Sequence, residues 1–257
     1  MKKTAGILAL CIAVFLSGCF DVIQDLTIRD NGSGVMTSKM DMGSVMAMMS
    51  QMGGMGDEKI KMDTSMALKS FLDSVTSISE EEKALLQNAT VEVEIDSEEG
   101  AFNFQLNMPF EKIDDIAKLK AITANENWLG KLFSKIGEQE SEKKDLTEGM
   151  GDMGNVKMPM PDDYLIYQYQ PGKISRKANT LKLDSLSSDE MMQKMKEGMD
   201  QGMPGIRSVY AIHLPRPVKK AEGKNIVVSD DKKTVTIENT MDDLFDDPSK
   251  FEFTIEF

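Results

Sequence analysis

Alternating apolar and polar positions recur along the chain in pairs, each pair bracketing a cluster of turn residues. Leu26 and Ile28 alternate before Asp30-Asn31-Gly32-Ser33-Gly34, and Met36, Ser38, Met40 and Met42 alternate after it. An Asn-Gly step between two such runs predicts a hairpin over 20–42. Val91, Val93 and Ile95 alternate with glutamates, 97–100 form a turn, and Phe102, Phe104, Leu106 and Met108 alternate back. That is a second hairpin, apolar toward a core and polar toward water. A third uses Pro171-Gly172 as its turn, with Leu165, Tyr167 and Tyr169 on one face. The last third is strand-rich. Ile206, Tyr210, Ile212 and Leu214 share a face, 226–228 and 235–237 flank a turn at Asp230-Asp231-Lys232, and Phe251, Phe253, Ile255 and Phe257 alternate to the last residue.

Between these runs the spacing changes to that of helices. Leu68, Phe71, Leu72 and Val75 stand at i, i+3, i+4 and i+7 and predict one buried helical stripe within 64–75. Residues 43–52 are apolar and flanked by glycine, and a helix is expected there too. Ser79 and Glu82 have capping-box spacing, opening a helix through Gln87. After Pro109, Ile113, Ile116 and Ala117 mark one helix, and Trp128, Leu129, Leu132, Phe133 and Ile136 mark another. Ser187 and Glu190 repeat the capping-box spacing, with Gly198 as the expected helix stop. Residues 137–161 lose all periodicity, which predicts a long mobile loop or an internal boundary. Hairpins with helices inserted between them predict an α+β fold: an antiparallel sheet with amphipathic helices packed mainly on one face.

The first residues follow a different rule. Lys2 and Lys3 precede an apolar run from Ala5 to Leu16, followed by Ser17, Gly18 and Cys19. A basic start, a short apolar stretch and small residues before a cut describe a secretory signal peptide. About 20 apolar residues are needed to span a bilayer, more than this run supplies. The ending Leu16-Ser17-Gly18-Cys19 resembles the lipobox of bacterial lipoproteins. That resemblance implies removal of residues 1–18, a diacylglycerol on the Cys19 sulfur, acylation of the new amino group, and an envelope domain over 19–257. Cys11 would leave with the signal, so no disulfide or free thiol is expected in the mature chain. With Phe20, not aspartate, after the cysteine, the resemblance implies the outer membrane, facing the periplasm, in a Gram-negative cell. A strand beginning at the lipidated cysteine and turning at Asn31-Gly32-Ser33-Gly34 also resembles the LppM-type envelope lipoproteins over 19–42. That likeness implies an α+β domain that binds lipid or glycolipid.

Charge narrows the partners. The net charge of −13 becomes −15 once Lys2 and Lys3 are removed. An acidic body without basic runs is repelled by polyanions, so nucleic acid is excluded as a partner. The expected partners are the membrane through Cys19, a lipid or other apolar ligand, and another envelope protein. The 28% charged and 40% apolar residues suit a globular domain with a sizeable core.

Candidate chemistry is sparse. His213 is the single histidine, no Gly-x-Ser-x-Gly elbow surrounds a serine, and neither a Walker A segment nor a dinucleotide fingerprint is present. No catalytic residue, cofactor or metal site is therefore expected. Asp242, Asp243, Asp246 and Asp247 lack the order of a calcium loop and read as a short capped helix with Leu244 and Phe245 inward. Methionine is the anomaly. Ten of 22 fall between Met36 and Met66, and five between Met191 and Met203. Thioethers suit Cu(I), and Met46, Met49 and Met52 have M-x-x-M spacing. The same spacing makes one apolar helical face, as Met191, Met195 and Met199 also do, and adaptable apolar surfaces are the commoner use of methionine. These six are the candidates for an apolar groove. Three functions follow: a non-enzymatic module binding a lipid or apolar ligand, an envelope scaffold, or a hydrolase with no visible motif.

Overall fold

The computed structural model describes residues 20–43, 61–73, 75, 78–123, 132, 161–186, 190–201 and 205–257. Strands β1 (Phe20–Ile28) and β2 (Gly34–Asp41) form the first hairpin. Its turn closes by hydrogen bonds from Arg29 N–H to the Ser33 carbonyl (2.7 Å) and from Gly32 N–H to the Arg29 carbonyl (2.9 Å). Gly32 takes φ +83°, which glycine adopts without steric cost. β3 (Lys61–Ala67), β4 (Thr90–Asp96) and β5 (Ala101–Phe110) extend the sheet beyond β2.

A further hairpin, β6 (Leu165–Gln170) with β7 (Lys173–Ala178), follows. β8 (Ile206–His213), β9 (Lys220–Gly223), β10 (Ile226–Val228), β11 (Thr234–Thr240) and β12 (Phe253–Glu256) complete the described strands. They form two sheets. The larger has eight strands in the order β10-β11-β8-β1-β2-β5-β4-β3, and the smaller has four in the order β6-β7-β12-β9. The fold is α+β and mostly antiparallel, as the hairpins require.

Two features of the sheets go beyond the expectation. The hairpins divide between two sheets, and β1 pairs with β8 in parallel, Phe20 opposite Ile206 and Thr27 opposite His213. Local hairpin signals specify each strand's neighbour in sequence but not which hairpins join. β9 and a helix at 180–186 also had no clear signal.

The described helices are α1 (Lys69–Leu72), α2 (Glu80–Leu86), α3 (Asp115–Thr123), α4 (Thr180–Leu186), α5 (Glu190–Asp200) and α6 (Met241–Asp246). In α2 the Ser79 hydroxyl accepts from Glu82 N–H (3.3 Å) while Glu82 accepts from Ser79 N–H (2.7 Å), the reciprocal capping box. Ser79→Ala is expected to cost about 1 kcal/mol, read as a lower urea midpoint at unchanged slope. Thr240 and Asp243 cap α6 in the same way, with Leu244 buried.

The helix expected over 64–75 is corrected. Its stripe is buried at Leu68, Phe71, Leu72 and Val75, but only α1 is helical. Residues 61–67 are extended because each pairs with a residue of β4, from Lys61 opposite Asp96 to Ala67 opposite Thr90. Gly198 does not stop α5 either. The helix continues to Asp200, and Gln201 N–H still reaches the Glu197 carbonyl (3.1 Å). Phe251 sits in a 3-10 turn (Pro248–Phe251) instead of a strand, although it is buried like Phe253, Ile255 and Phe257. The expected helices over 43–52 and 128–136, and the loop over 137–161, lie almost wholly outside the described residues.

The core lies on one face of the large sheet. Phe20, Val22, Leu26 and Ile28 of β1, Phe102, Phe104, Leu106 and Met108 of β5, and Tyr210 and Ile212 of β8 point into it. α2 and α3 cover the β5 side, through Leu86, Ile116, Leu119 and Ile122. The small sheet covers β1, β8 and β11 through Tyr169, Ile174, Phe253 and Ile255. The opposite face of the large sheet carries polar side chains.

Candidate functional site

Three places could carry function: the start of β1, a polar cluster between the sheets, and the outer face of the large sheet. β1 begins at Phe20, the residue after Cys19, and Phe20 is 3% exposed. Its N–H donates to the Gly205 carbonyl (3.1 Å). Cys19, Met46, Met49 and Met52 lie outside the described residues. Met191 belongs to α5, and nothing further is described of its side chain. Met195 and Met199 are half-buried and pack against the hydrophobic core, beside the fully buried Met192.

The polar cluster was not anticipated. It is built from residues whose strand parity should be apolar. Gln24 stands between Val22 and Leu26, Arg176 between Ile174 and Ala178, and Asn239 after Val235 and Ile237. All three point inward, and Lys120 of α3 and Asp162 of the 3-10 turn Pro161–Tyr164 join them. Asp162 Oδ2 accepts from Lys120 Nζ (2.8 Å) and Gln24 Nε2 (2.5 Å), and its Oδ1 accepts from the Tyr167 hydroxyl (2.6 Å). Lys120 also donates to Gln24 Oε1 (2.6 Å) and sits 3.8 Å from the centre of the Tyr167 ring. Arg176, 2% exposed, donates to the Phe251 carbonyl (2.5 Å), Asn239 Oδ1 (3.0 Å) and the Tyr167 hydroxyl (3.4 Å). Its guanidinium is packed among the rings of Tyr167, Tyr210, Phe251 and Phe253, 4.9 Å from the last.

The electrostatics follow from this packing. Burial opposes ionisation of Asp162, yet the Lys120 ammonium and the donors of Tyr167 and Gln24 outweigh it and hold the carboxyl at about 2. Burial pushes the Lys120 ammonium below its ordinary value, against the pull of Asp162. Burial also raises the Tyr167 and Tyr169 phenols well above theirs, so both remain neutral donors. Lys120 Nζ thus donates to Gln24 and Asp162 within the cluster and lies over the Tyr167 ring. The arrangement ties α3, β1, β6, β7 and β11 together.

On the outer face, His213 Nε2 lies 2.9 Å from Asp25 Oδ2, and its Nδ1 lies 3.1 Å from Thr234 Oγ1. An acid, an imidazole and a hydroxyl in line are the parts of an acyl-transfer site. Beside this hydroxyl, Thr234 N–H already donates to Ser229 Oγ (2.9 Å) and Lys233 N–H to Asp231 Oδ1 (3.0 Å), so neither amide is free to act as an oxyanion donor. The three side chains form a cross-strand tie on β1, β8 and β11. Among the described residues no group of three His, Cys, Asp or Glu side chains could hold a metal ion, and no helix is long and apolar enough to cross a membrane.

Comparisons with protein families, curated proteins and solved structures return no match for this chain.

Proposed function

We propose that the chain is a lipid-anchored lipoprotein of the bacterial cell envelope, and that its domain is a non-enzymatic interaction module held against the membrane. The observation that carries this reading is the burial of Phe20 in β1 directly after the lipobox cysteine. An acyl group on Cys19 would join the sheet with no slack, so the domain would lie at the lipid surface and not swing on a tether. Two or more acyl chains give stable anchoring, whereas one binds only marginally. Phe20 in the position after the cysteine favours the outer membrane, with the domain facing the periplasm, in a Gram-negative cell.

Two further observations favour binding to another macromolecule over an apolar ligand or catalysis. Met195 and Met199 lie half-buried against the core. The polar cluster and the His213 tie are each satisfied internally. Of the expected partners beyond the membrane, another envelope protein is the better supported.

Cys19→Ala should abolish palmitate labelling and release the protein from the membrane fraction into the soluble envelope fraction. Retention of the variant in the membrane fraction, unlabelled, would overturn the anchor.

A further inference from the structure

We infer that Lys120 and Gln24 join in an intramolecular amide bond once the chain has folded, with Asp162 carrying the proton and ammonia as the leaving group. The polar cluster sets three groups in the arrangement this reaction requires. Lys120 Nζ, the nucleophile, lies 2.6 Å from Gln24 Oε1. The amide carbon is one carbonyl bond beyond, at most about 3.8 Å from Nζ, near the separation of a reactive encounter. Asp162 Oδ2 touches both nitrogens that exchange protons. It accepts from Lys120 Nζ (2.8 Å) and from Gln24 Nε2 (2.5 Å). One oxygen thus bridges the atom that must lose a proton and the atom that must gain one.

The surroundings favour uncharged partners. Nζ lies 3.8 Å from the centre of the Tyr167 ring and 5.3 Å from that of Tyr210. The titratable groups that face it are Asp162, Tyr167, Arg176 and Tyr210. Burial opposes the charge on Lys120 and on Asp162, and the Arg176 guanidinium adds a second cation that repels the ammonium. Passing one proton from Nζ to Oδ2 removes both buried charges and leaves a lone pair beside the amide. Asp162 is the poorer electrophile of the two candidates, because an ionised carboxylate resists a nucleophile and the Gln24 amide is neutral.

The step balances without a co-reactant. Nζ attacks Cδ, the Cδ–Nζ bond forms, and the Cδ–Nε2 bond breaks as Oδ2 hands its proton to Nε2. Ammonia takes the second proton of Nζ and departs as ammonium, and Asp162 returns to its carboxylate. At neutral pH the ion pair keeps Nζ protonated, so freshly folded protein holds the pair and the bond accumulates slowly. It forms faster as pH rises toward the lysine range. The product ties the middle of β1 to α3 across 96 positions. A chain expected to carry no disulfide thereby gains a covalent loop closure of its own.

The test follows the intact mass of the full-length protein in detergent micelles, held for several days at about pH 7 and about pH 9. Wild type should lose the mass of one ammonia, faster at the higher pH. Digestion with trypsin and chymotrypsin should then yield a branched peptide joining Lys120 to Gln24; the cut after Phe20 frees Gln24 from Cys19. Gln24→Met, which keeps the Lys120–Asp162 pair, should hold its mass, and so should wild type kept unfolded in guanidinium. Asp162→Ala should slow the loss about a hundredfold or more. An unchanged wild-type mass at both pH values would overturn the inference. So would a loss that maps to a succinimide at Asn31-Gly32, or one that proceeds equally in guanidinium. Loss of water in place of ammonia would move the bond to Asp162 and overturn the assignment to Gln24. An equal rate in Asp162→Ala would overturn its part as proton carrier.

Discussion

Asp162→Ala is expected to destabilise the domain by about 3 kcal/mol at neutral pH, because it leaves the Lys120 ammonium buried without its carboxylate. Lys120 is only 11% exposed and Asp162 27%, so water can replace little of what is lost. The same residue sets an acid limit. A free aspartate titrates at 3.8, and this one is held at about 2. A carboxyl depressed by folding contributes stability that is complete above the unfolded value and is lost as pH falls toward the folded one. The loss between pH 4 and pH 2 should come to about 2 kcal/mol. Urea titrations across that window check it. The wild-type midpoint should fall more steeply than that of Asp162→Ala, and parallel curves would refute the assignment. Pairing Asp162→Asn with Lys120→Met should recover much of the loss, since removing both charges of a buried pair is often neutral.

Gly34→Ala should cost about 3 kcal/mol, at the upper end for overpacking by one methyl group. Gly34 opens β2 opposite Ile28 on one side and Phe110 on the other. A Cβ there would overlap the Thr27 carbonyl oxygen and the edge of the Phe110 ring. The ring could turn, but the carbonyl belongs to the ladder of β1 and cannot move without loosening the hairpin. Denaturant unfolding of Gly34→Ala, alone and with Phe110→Leu, separates the two contacts. Full recovery in the double variant would place the whole cost on the ring; partial recovery is expected.

Much of the local architecture was readable from alternation. The hairpins at 20–42, 91–108 and 165–178, the capping boxes at Ser79 and Thr240, and the turn at Asp230 follow from short-range rules that hold whatever surrounds them. β3 escaped because its inward face is only weakly apolar, Met62 and Met66 with Thr64 between them, and its partner β4 lies more than twenty positions away. The polar cluster left a signal that alternation does carry. Gln24, Arg176 and Asn239 each break an apolar parity in a different strand. That three such breaks meet at one place depends on which hairpins share a core, and no local pattern encodes it.

The parallel pairing of β1 with β8 bears on when the chain can fold. β1 occupies the middle of the large sheet, yet one of its two neighbours is made about 185 residues later. Loop closure over such a distance is slow, and domains rich in distant pairings fold late. As the chain is synthesised from its amino end, the hairpin of β1 and β2 can form early, but its other edge stays open until residues 206–213 emerge. An unpaired central strand is also a hazard for aggregation. A protein that must cross a membrane before folding gains from this order. On the proposed route across a membrane, the first strand would stay unsealed until the strand that closes it arrives in the last fifth of the chain.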